Sequence, residues 1–232
     1  MFSTMNSEYF RTIKSYVKRG GRLTKAQENA LLNLSSDYVL SIEQGQLNYS
    51  QTFHREAATV LEIGFGNGQT LLQMASEQPM LNFIGIEVHP PGVGMLLQGI
   101  SQFQLTNLKT YQADAVDVLK NCIPKNSLRK IQIFFPDPWP KKRHHKRRLI
   151  QTEFLDLLHT RVEEGGILHL ATDWEDYANH IMSLLEQNTK WKPFTLNHSS
   201  PEDLRNIRGR TKFETRGVKL GHKIHDLLYQ SK

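Results

Sequence analysis

Val60-Leu61-Glu62-Ile63-Gly64-Phe65-Gly66-Asn67-Gly68 is an apolar run that ends in three glycines. The run has the length and character of a buried strand, and the glycines allow a tight turn. Residues Thr70–Ser76 then have helical character. A strand, a glycine turn and a helix in immediate succession are typical of the first unit of an α/β fold.

The same strand and helix rhythm continues along the chain. Short apolar runs predict further strands at Asn82–Val88, Leu108–Gln112, Lys130–Phe135 and Ile167–Ala171. Helical spacing predicts the intervening helices at Val93–Gln104, Ala115–Cys122, Leu149–Val162 and Glu175–Glu186. This alternation predicts an α/β fold with a doubly wound, mostly parallel sheet, in which ligands bind beyond the carboxyl ends of the strands.

The two ends of the chain lack this rhythm. We predict a helix around Ala26–Leu34, a polar loop at residues 197–211 and a closing helix at Gly221–Tyr229. The chain has 232 residues, 38% of them hydrophobic, and can therefore bury one sizeable core. We divide it into a basic N-terminal extension, residues 1–50, packed on or flanking a single globular domain, residues 51–232.

Acidic side chains follow three successive predicted strands. Glu62 adjoins the glycine turn, where a carboxylate would repel a pyrophosphate and attract an ammonium or sulfonium group. Glu87 closes the second strand, at the position of an acid that accepts both hydroxyls of a ribose. Asp114 follows the third strand and could accept from the exocyclic amine of adenine. Each acid alone is typical of an ordinary loop, but together the three fit S-adenosylmethionine.

A rigid turn follows the fourth strand, in Phe134-Phe135-Pro136-Asp137-Pro138-Trp139-Pro140. Proline fixes φ and supplies no ladder donor, so the strand must end here, and the turn presents Asp137 and Trp139. Trp139 could stack on a nucleic-acid base or pack as a core residue behind the turn. A carboxylate and an indole held beside a cationic run suggest chemistry on a base.

Positive charge is concentrated in three segments on an otherwise acidic chain. Residues 9–27, 141–152 and 205–223 together carry a net charge of +18, whereas the rest has 10 cations against 22 acids. Six of the eight residues from Lys141 to Arg148 are Lys or Arg, and such a run would repel itself unless a polyanion shared its charge. The pattern indicates a nucleic-acid partner.

Composition also bounds the environment of the protein. Cys122 is the only cysteine, which excludes an internal disulfide and favours a reducing compartment. The apolar runs are far shorter than the roughly 20 residues of a membrane span, so we expect no membrane association and a cytoplasmic location. His144 and His145 lack the spacing of metal ligands, and we predict no metal site.

These motifs resemble the bacterial tRNA (guanine-N7-)-methyltransferases over nearly the whole chain. The specific part is the Pro136-Asp137-Pro138-Trp139 turn; the glycine turn is shared with many methyltransferases. Further matches are Gly85-Ile86-Glu87-Val88-His89, Lys146-Arg147-Arg148, Ala171-Thr172-Asp173-Trp174, Thr211-Lys212-Phe213-Glu214, Gly221-His222, and the lead-in segments Lys14-Ser15-Tyr16-Val17 and Gly21-Arg22-Leu23-Thr24.

The resemblance implies a Rossmann-like methyltransferase domain that transfers the methyl group of S-adenosylmethionine to N7 of the variable-loop guanine of tRNA. It implies a cytoplasmic, RNA-binding enzyme of tRNA modification and processing, which we expect to be a monomer or weak homodimer. It implies cofactor binding by Glu62, Gly64, Gly66, Glu87, Asp114 and Asp137, with Asp137 also catalytic. It implies substrate binding by Lys141, Asp173, Thr211, Lys212, Phe213 and Glu214, and RNA binding by Arg143, His144, His145, Lys146, Arg147 and Arg148.

Other interpretations remain at this stage. Asp173 could instead cap the helix that follows it, and Glu214 could be a surface counter-charge in a basic segment. For the whole chain, the alternatives are an NAD(P)-dependent oxidoreductase, a nucleic-acid-binding protein without catalysis, and an amino-methyltransferase of DNA. Glu62 argues against the first alternative, and the Pro-Asp-Pro-Trp order argues against the third.

Overall fold

The computed structural model describes residues 14–17, 21–195 and 212–232. Within these ranges, eight strands form one sheet. The strands are β1 (Val39–Leu40), β2 (Thr59–Ile63), β3 (Asn82–Ile86), β4 (Leu108–Tyr111), β5 (Leu128–Phe134), β6 (Val162–Thr172), β7 (Trp191–Pro193) and β8 (His225–Ser231).

Helices connect the strands. The α-helices are α1 (Lys25–Tyr38), α2 (Tyr49–Phe53), α3 (Gln69–Glu77), α4 (Pro90–Gln102), α5 (Ala115–Asn121), α6 (Thr152–His159), α7 (Glu175–Glu186) and α8 (Lys212–Lys219). Two 3₁₀ helices are described, at Ile42–Gln44 and Lys142–Arg147.

The strand order is β1-β4-β3-β2-β5-β6-β8-β7. Along this order, every neighbouring pair from β1 to β6 is parallel, and β8 is antiparallel to its two neighbours, β6 and β7. The prediction of a doubly wound, mostly parallel sheet is thus confirmed. The chain leaves β2 toward β3 on one side, while β5 lies on the other. The order of strands therefore reverses between β2 and β5, where folds of this class form a ligand crevice.

Both faces of the central strands are buried. Leu61 and Ile84 pack into the core on one face, and Val60 and Phe83 pack into the core on the other. Every residue of β2 and β3 is buried, which accounts for their nearly continuous apolar sequences. This packing fixes the register of the strands and therefore the relative heights of the side chains at their carboxyl ends.

The predicted closing helix at Gly221–Tyr229 is wrong, because His225–Ser231 forms β8. The three adjacent apolar residues of this segment fit neither helical nor strand periodicity, so the pattern alone could not decide. The free edges of β6 and β7 supply backbone partners on both sides of β8. Tertiary hydrogen bonding thus determined the outcome.

Other boundaries also moved. The helix predicted at Leu149–Val162 is shorter, since α6 begins at Thr152 and the chain enters β6 at Val162. The helix predicted around Ala26–Leu34 extends over α1, which has a capping box built by Thr24 and Gln27. The loop predicted at residues 197–211 lies outside the described residues.

The segment before residue 51 contributes to the sheet. Strand β1 pairs with β4, and α1 packs on α4. The division at residue 51 stays a prediction. Among the helices that the structure describes, none has the length and apolar character needed to cross a membrane.

Candidate active site

The glycine turn after β2 is held by hydrogen bonds to the next strand. The amide of Gly64 donates to the carbonyl of Ile86 at 2.8 Å, and the amide of Gly66 donates to the Glu87 carboxylate at 2.9 Å. Gly66 has φ +60°, a left-handed conformation that favours glycine. A Cβ at Gly92, in the first turn of α4, would lie only 2.1 Å from the Gly66 carbonyl oxygen. Glycine is therefore required at residue 66, for the backbone conformation of the turn, and at residue 92, for the close approach of α4 to the turn.

Glu87 organises the end of β3. Its second oxygen accepts from the amides of Val88 and His89, at 2.7 and 3.0 Å, and contacts His89 Nδ1 at 2.8 Å. Burial lowers the pKa of His89, but the hydrogen bonds to the Val17 carbonyl and to Glu87, with the charges of Glu87 and Asp137, outweigh it and raise the pKa. Glu87 therefore fixes the glycine turn and the start of α4 together.

Glu62 is buried at the carboxyl end of β2. Gln132, its register partner on β5, donates a hydrogen bond to the Glu62 carboxylate at 2.9 Å. Burial raises the pKa of Glu62 to about 7, although the bond from Gln132 and the charge of Lys130 act in the opposite direction. A cation placed beside Glu62 would stabilise the ionised form of its carboxylate.

Asp114 caps α5 and binds a residue of the N-terminal segment. Its side chain accepts from the amide of Val116 at 2.9 Å and forms an ion pair with Lys14 at 2.6 Å. The hydrogen bond to Asp114 raises the pKa of Lys14. Asp114 therefore joins the end of β4 to residues 14–17.

Two adjoining cavities lie over these strand ends. The first, of about 250 Å³, is lined by Tyr16, Glu87, Asp114 and Asp137 among others. The second, of about 340 Å³, is lined by Glu62 and Thr70, and both share Gly64, Gly66, Glu87 and Phe134 in their walls. We call the two together the acidic cleft. The structure thus brings together all six residues predicted to bind the cofactor.

The proline turn after β5 forms one wall of the cleft. Phe135 and Trp139 have φ values of +52° and +45°, so non-glycine residues on both sides of Asp137 adopt the left-handed region. Asp137 itself is exposed and lines the first cavity. The Trp139 indole donates to the Ser15 carbonyl at 3.1 Å. The turn is thus held in part by a contact with a residue outside it.

Trp139 is half-buried, so its interpretation as a core tryptophan is wrong. The Arg147 guanidinium lies 4.0 Å from the centroid of its ring, and the His144 ring meets it edge-on at 5.8 Å. Stacking of Trp139 on a base stays a prediction. A base that used the face covered by Arg147 would have to displace that guanidinium.

The basic run divides into exposed and buried members. Lys141 precedes the 3₁₀ helix and is exposed, as are Lys142, Arg143 and Lys146, whereas His144, His145 and Arg147 are half-buried. Arg148 differs, because only 1% of its side chain is exposed. The prediction that Arg148 binds RNA is therefore corrected: its guanidinium lies within the protein, against Asp176 and Tyr177.

Asp173 lies at the carboxyl end of β6 and contacts α8. Its carboxylate is 3.3 Å from His222 Nδ1, and a Cβ at Gly217 would approach the same carboxylate oxygen to 2.8 Å. The cap of α7 is Trp174, which makes no side-chain capping bond, so the capping interpretation of Asp173 is wrong. Thr172 instead accepts from the Trp174 amide.

Glu214 is buried, with 3% exposure, which contradicts its interpretation as a surface counter-charge. Lys212 and Phe213 lie in the first turn of α8. Thr211 lies outside the described residues. Glu214 lies in the same helix as Gly217, the residue that packs against Asp173.

Sequence reasoning gave no role to Gln132, Ser15 or Tyr16. The signal for Gln132 was a polar residue between Ile131 and Ile133 in a central strand. Ser15 and Tyr16 line the first cavity but lie far away in sequence. In the part of the chain that the structure describes, no group of three acidic, histidine or cysteine side chains is arranged to hold a metal ion.

Comparison with known proteins agrees with this geometry. A family model described as "Putative methyltransferase" matches residues 56–227. A tRNA (guanine-N(7)-)-methyltransferase of Idiomarina loihiensis is 48% identical over 227 residues, which cover 97% of this chain and 91% of that protein. The chain belongs to the family of tRNA (guanine-N(7)-)-methyltransferases. A second member of the family, from Alcanivorax borkumensis, is also 48% identical and covers 96% of this chain and 92% of its own.

Solved structures extend the likeness in fold beyond the family of tRNA (guanine-N(7)-)-methyltransferases. An antibiotic-related methyltransferase superposes with a TM-score of 0.53 at 16% identity, covering 83% of this chain and 94% of its own. The 16S rRNA methyltransferase KamB superposes with a TM-score of 0.52 at 15% identity, covering 92% and 95%. At these identities the likeness concerns the fold alone, which is the Rossmann-like methyltransferase fold.

Proposed function

We propose that this protein transfers the methyl group of S-adenosylmethionine to N7 of the variable-loop guanine of tRNA. The observation that carries the proposal is the position of Asp137. This carboxylate lies between the acidic cleft and the exposed cations that follow it in sequence. Methyl donor and RNA can therefore meet at one turn.

The residues of the cleft fit S-adenosylmethionine. The amide of Gly66, which would face a pyrophosphate in a dinucleotide site, instead donates to Glu87. The walls carry carboxylates, which suit a ligand with an ammonium group, a ribose and an adenine but without phosphate. Glu62 would hold the ammonium group, Glu87 the ribose and Asp114 the adenine. When bound, this cofactor supplies an electrophilic methyl group on a sulfonium.

The chain's own contribution to the reaction is positioning and electrostatics. N7 of guanine has a free lone pair, so no general base is needed to expose it, and the enzyme must orient the base and exclude water. Methylation leaves positive charge on the purine. Asp137 would stabilise that charge, or would accept a hydrogen bond from the base to orient it. Asp173, Lys141 and the residues from Thr211 to Glu214 complete the proposed substrate site.

The proposed RNA surface consists of the exposed cations Lys142, Arg143 and Lys146 with the half-buried His144, His145 and Arg147. Such contacts bind the phosphate backbone without reading its sequence. We further propose that the protein acts in the cytoplasm as a monomer or weak homodimer. The alternative of an oxidoreductase is disfavoured by the Gly66–Glu87 hydrogen bond.

The test is nucleoside analysis of tRNA incubated with the protein and labelled S-adenosylmethionine. We expect 7-methylguanosine in a transcript with guanine at the variable-loop position, and none in a matched transcript with adenine there. Duplex DNA should accept no label. Label in DNA, label at another position of the tRNA, or tRNA binding without transfer would each contradict the proposal.

A further inference from the structure

Arg148 is a buried cation at the end of an exposed basic run. Its side chain is 1% exposed, although Lys141, Lys142, Arg143 and Lys146 before it all reach solvent. Burial of a guanidinium is costly unless charge and hydrogen-bond partners surround it. A phosphate could not reach it without rearrangement of the protein. Arg148 therefore has another task than the rest of the run.

The guanidinium of Arg148 has partners on three sides. Its Nε donates to the carbonyl of Pro138 at 2.9 Å, and its Nη2 pairs with the carboxylate of Asp176 and lies 3.1 Å from His145 Nε2. Its Cζ lies over the Tyr177 ring, 4.8 Å from the centroid. A planar guanidinium can make hydrogen bonds in two directions while it contacts an aromatic face, which an ammonium group cannot do with the same geometry. The hydrogen bond to Arg148 also lowers the pKa of Asp176.

These partners belong to two parts of the candidate site. Pro138 lies between Asp137 and Trp139, in the turn whose flanking residues have left-handed backbone. Asp176 and Tyr177 lie in the first turn of α7, which begins two residues after Asp173. Strained turns persist only where surrounding contacts hold them. Arg148 thus ties the turn that carries Asp137 to the helix that follows Asp173.

We infer that Arg148 is a positioning residue, which holds the Pro136–Trp139 turn against α7 so that Asp137 keeps its place at the acidic cleft. The inference rests on the proposed function for its effect on methyl transfer. The effect of Arg148 on the conformation of the turn is independent of that function. Displacement of a catalytic group by about 1 Å can cost on the order of 100-fold in rate, so the fork of Arg148 matters even though it touches no substrate.

Arg148→Lys separates positioning from RNA binding, because it keeps the charge and removes the fork. We expect single-turnover methyl transfer, at saturating tRNA and cofactor, to fall roughly 10- to 100-fold. The dependence of tRNA affinity on salt should keep the slope of the wild type. Arg143→Ala is the matched control at an exposed position of the same run, and there the slope should fall by up to about one. Asp176→Asn, which weakens the same pair from its exposed side, should lower the rate in the same direction as Arg148→Lys.

Hydrogen exchange of the Phe135–Trp139 segment reports on the turn independently of activity. We expect faster exchange in Arg148→Lys and wild-type exchange in Arg143→Ala. Wild-type exchange and rate in Arg148→Lys would overturn the inference, as would a rate loss that higher tRNA concentration restores. If the wild type transferred no methyl group, the proposed function would fail, and the exchange comparison would still decide whether Arg148 positions the turn.

Discussion

The side-chain amide of Gln132 donates a 2.9 Å hydrogen bond to the buried carboxylate of Glu62 across the boundary between β2 and β5. Both residues lie where the strand order reverses, and Glu62 lines the acidic cleft. Burial favours the neutral form of Glu62, whereas Gln132 favours the ionised form. The protonation of Glu62 is therefore balanced close to neutral pH, and ligand binding should disturb that balance.

Cofactor binding should release a proton from Glu62. With its pKa raised to about 7, Glu62 becomes increasingly protonated as the pH falls through neutrality, and an ammonium group beside it requires the ionised form. Affinity should therefore rise as the pH rises through 7. Calorimetry with S-adenosylhomocysteine in two buffers of different ionisation enthalpy should show proton release at pH 6.5 that becomes smaller at pH 8.5. Glu62→Gln should abolish the release; an unchanged release would assign the proton to another group.

Gln132→Met should weaken cofactor binding by about 1 kcal/mol at pH 7, because Glu62 loses a donor to its charged form. Part of the loss should disappear at pH 8.5, where Glu62 ionises even without Gln132. The same substitution made in a Glu62→Gln background should have a smaller effect. Equal effects in the two backgrounds would mean that Gln132 acts only through packing.

Glu87→Ala should weaken binding of S-adenosylhomocysteine by about 1–3 kcal/mol, since it removes a charged acceptor and frees the amide of Gly66. Glu77→Ala, at an exposed acid on α3, is the control and should bind as the wild type does. Calorimetry is the measurement. Wild-type affinity in Glu87→Ala would remove this residue from the proposed site.

Asp137→Ala should fold normally and bind tRNA nearly as well as the wild type, yet lose turnover by on the order of 100- to 1000-fold. Asp137→Asn separates the two proposed roles, because it keeps an acceptor and removes the charge. Near-normal activity would indicate orientation of the base, and deep loss would indicate charge stabilisation. Single-turnover transfer at saturation isolates this step from binding. A wild-type rate in Asp137→Ala would leave Asp173 as the next candidate.

Replacing Arg143 and Lys146 together by Ala should reduce the slope of log K for tRNA against log salt by up to about two. Both side chains are exposed in the 3₁₀ helix of Lys142–Arg147. Lys125→Ala is the control, because this exposed lysine precedes β5 and so lies at the opposite edge of the sheet. A slope unchanged in the double variant would place the RNA elsewhere.

The sequence was informative wherever local pattern and sheet geometry act together. Glu62 lies at the carboxyl end of a strand, and Glu87 and Asp114 follow strands. Because the carboxyl ends of parallel strands meet at one edge, the convergence of these acids could be predicted. The proline turn likewise marked Asp137 without any knowledge of its surroundings. Strand periodicity predicted the central sheet for the same reason, since its residues are buried on both faces.

Features set by distant contacts could not be predicted. Arg147 and Arg148 are adjacent and chemically identical, yet of the two only Arg148 is buried. Its guanidinium pairs with Asp176, which lies 28 residues later in the chain. The contact of Lys14 with Asp114 joins residues 100 positions apart. No local period encodes such pairs. They depend on the completed fold, as does the strand character of β8.

The position of β8 in the sheet constrains the order in which a ribosome can deliver a working enzyme. All residues of the acidic cleft precede Ile150 in the chain, so that part of the molecule can assemble early in synthesis. Strand β8 is made later, yet it lies between β6 and β7, and β7 pairs with β8 alone among the described strands. Until the segment from α8 to β8 is made, Asp173 lacks the neighbouring Gly217 and His222, and β6 presents an open edge. A nascent chain would therefore complete the acidic cleft before Asp173 could pack against Gly217 and His222. A chaperone that covered the edge of β6 would act within that interval.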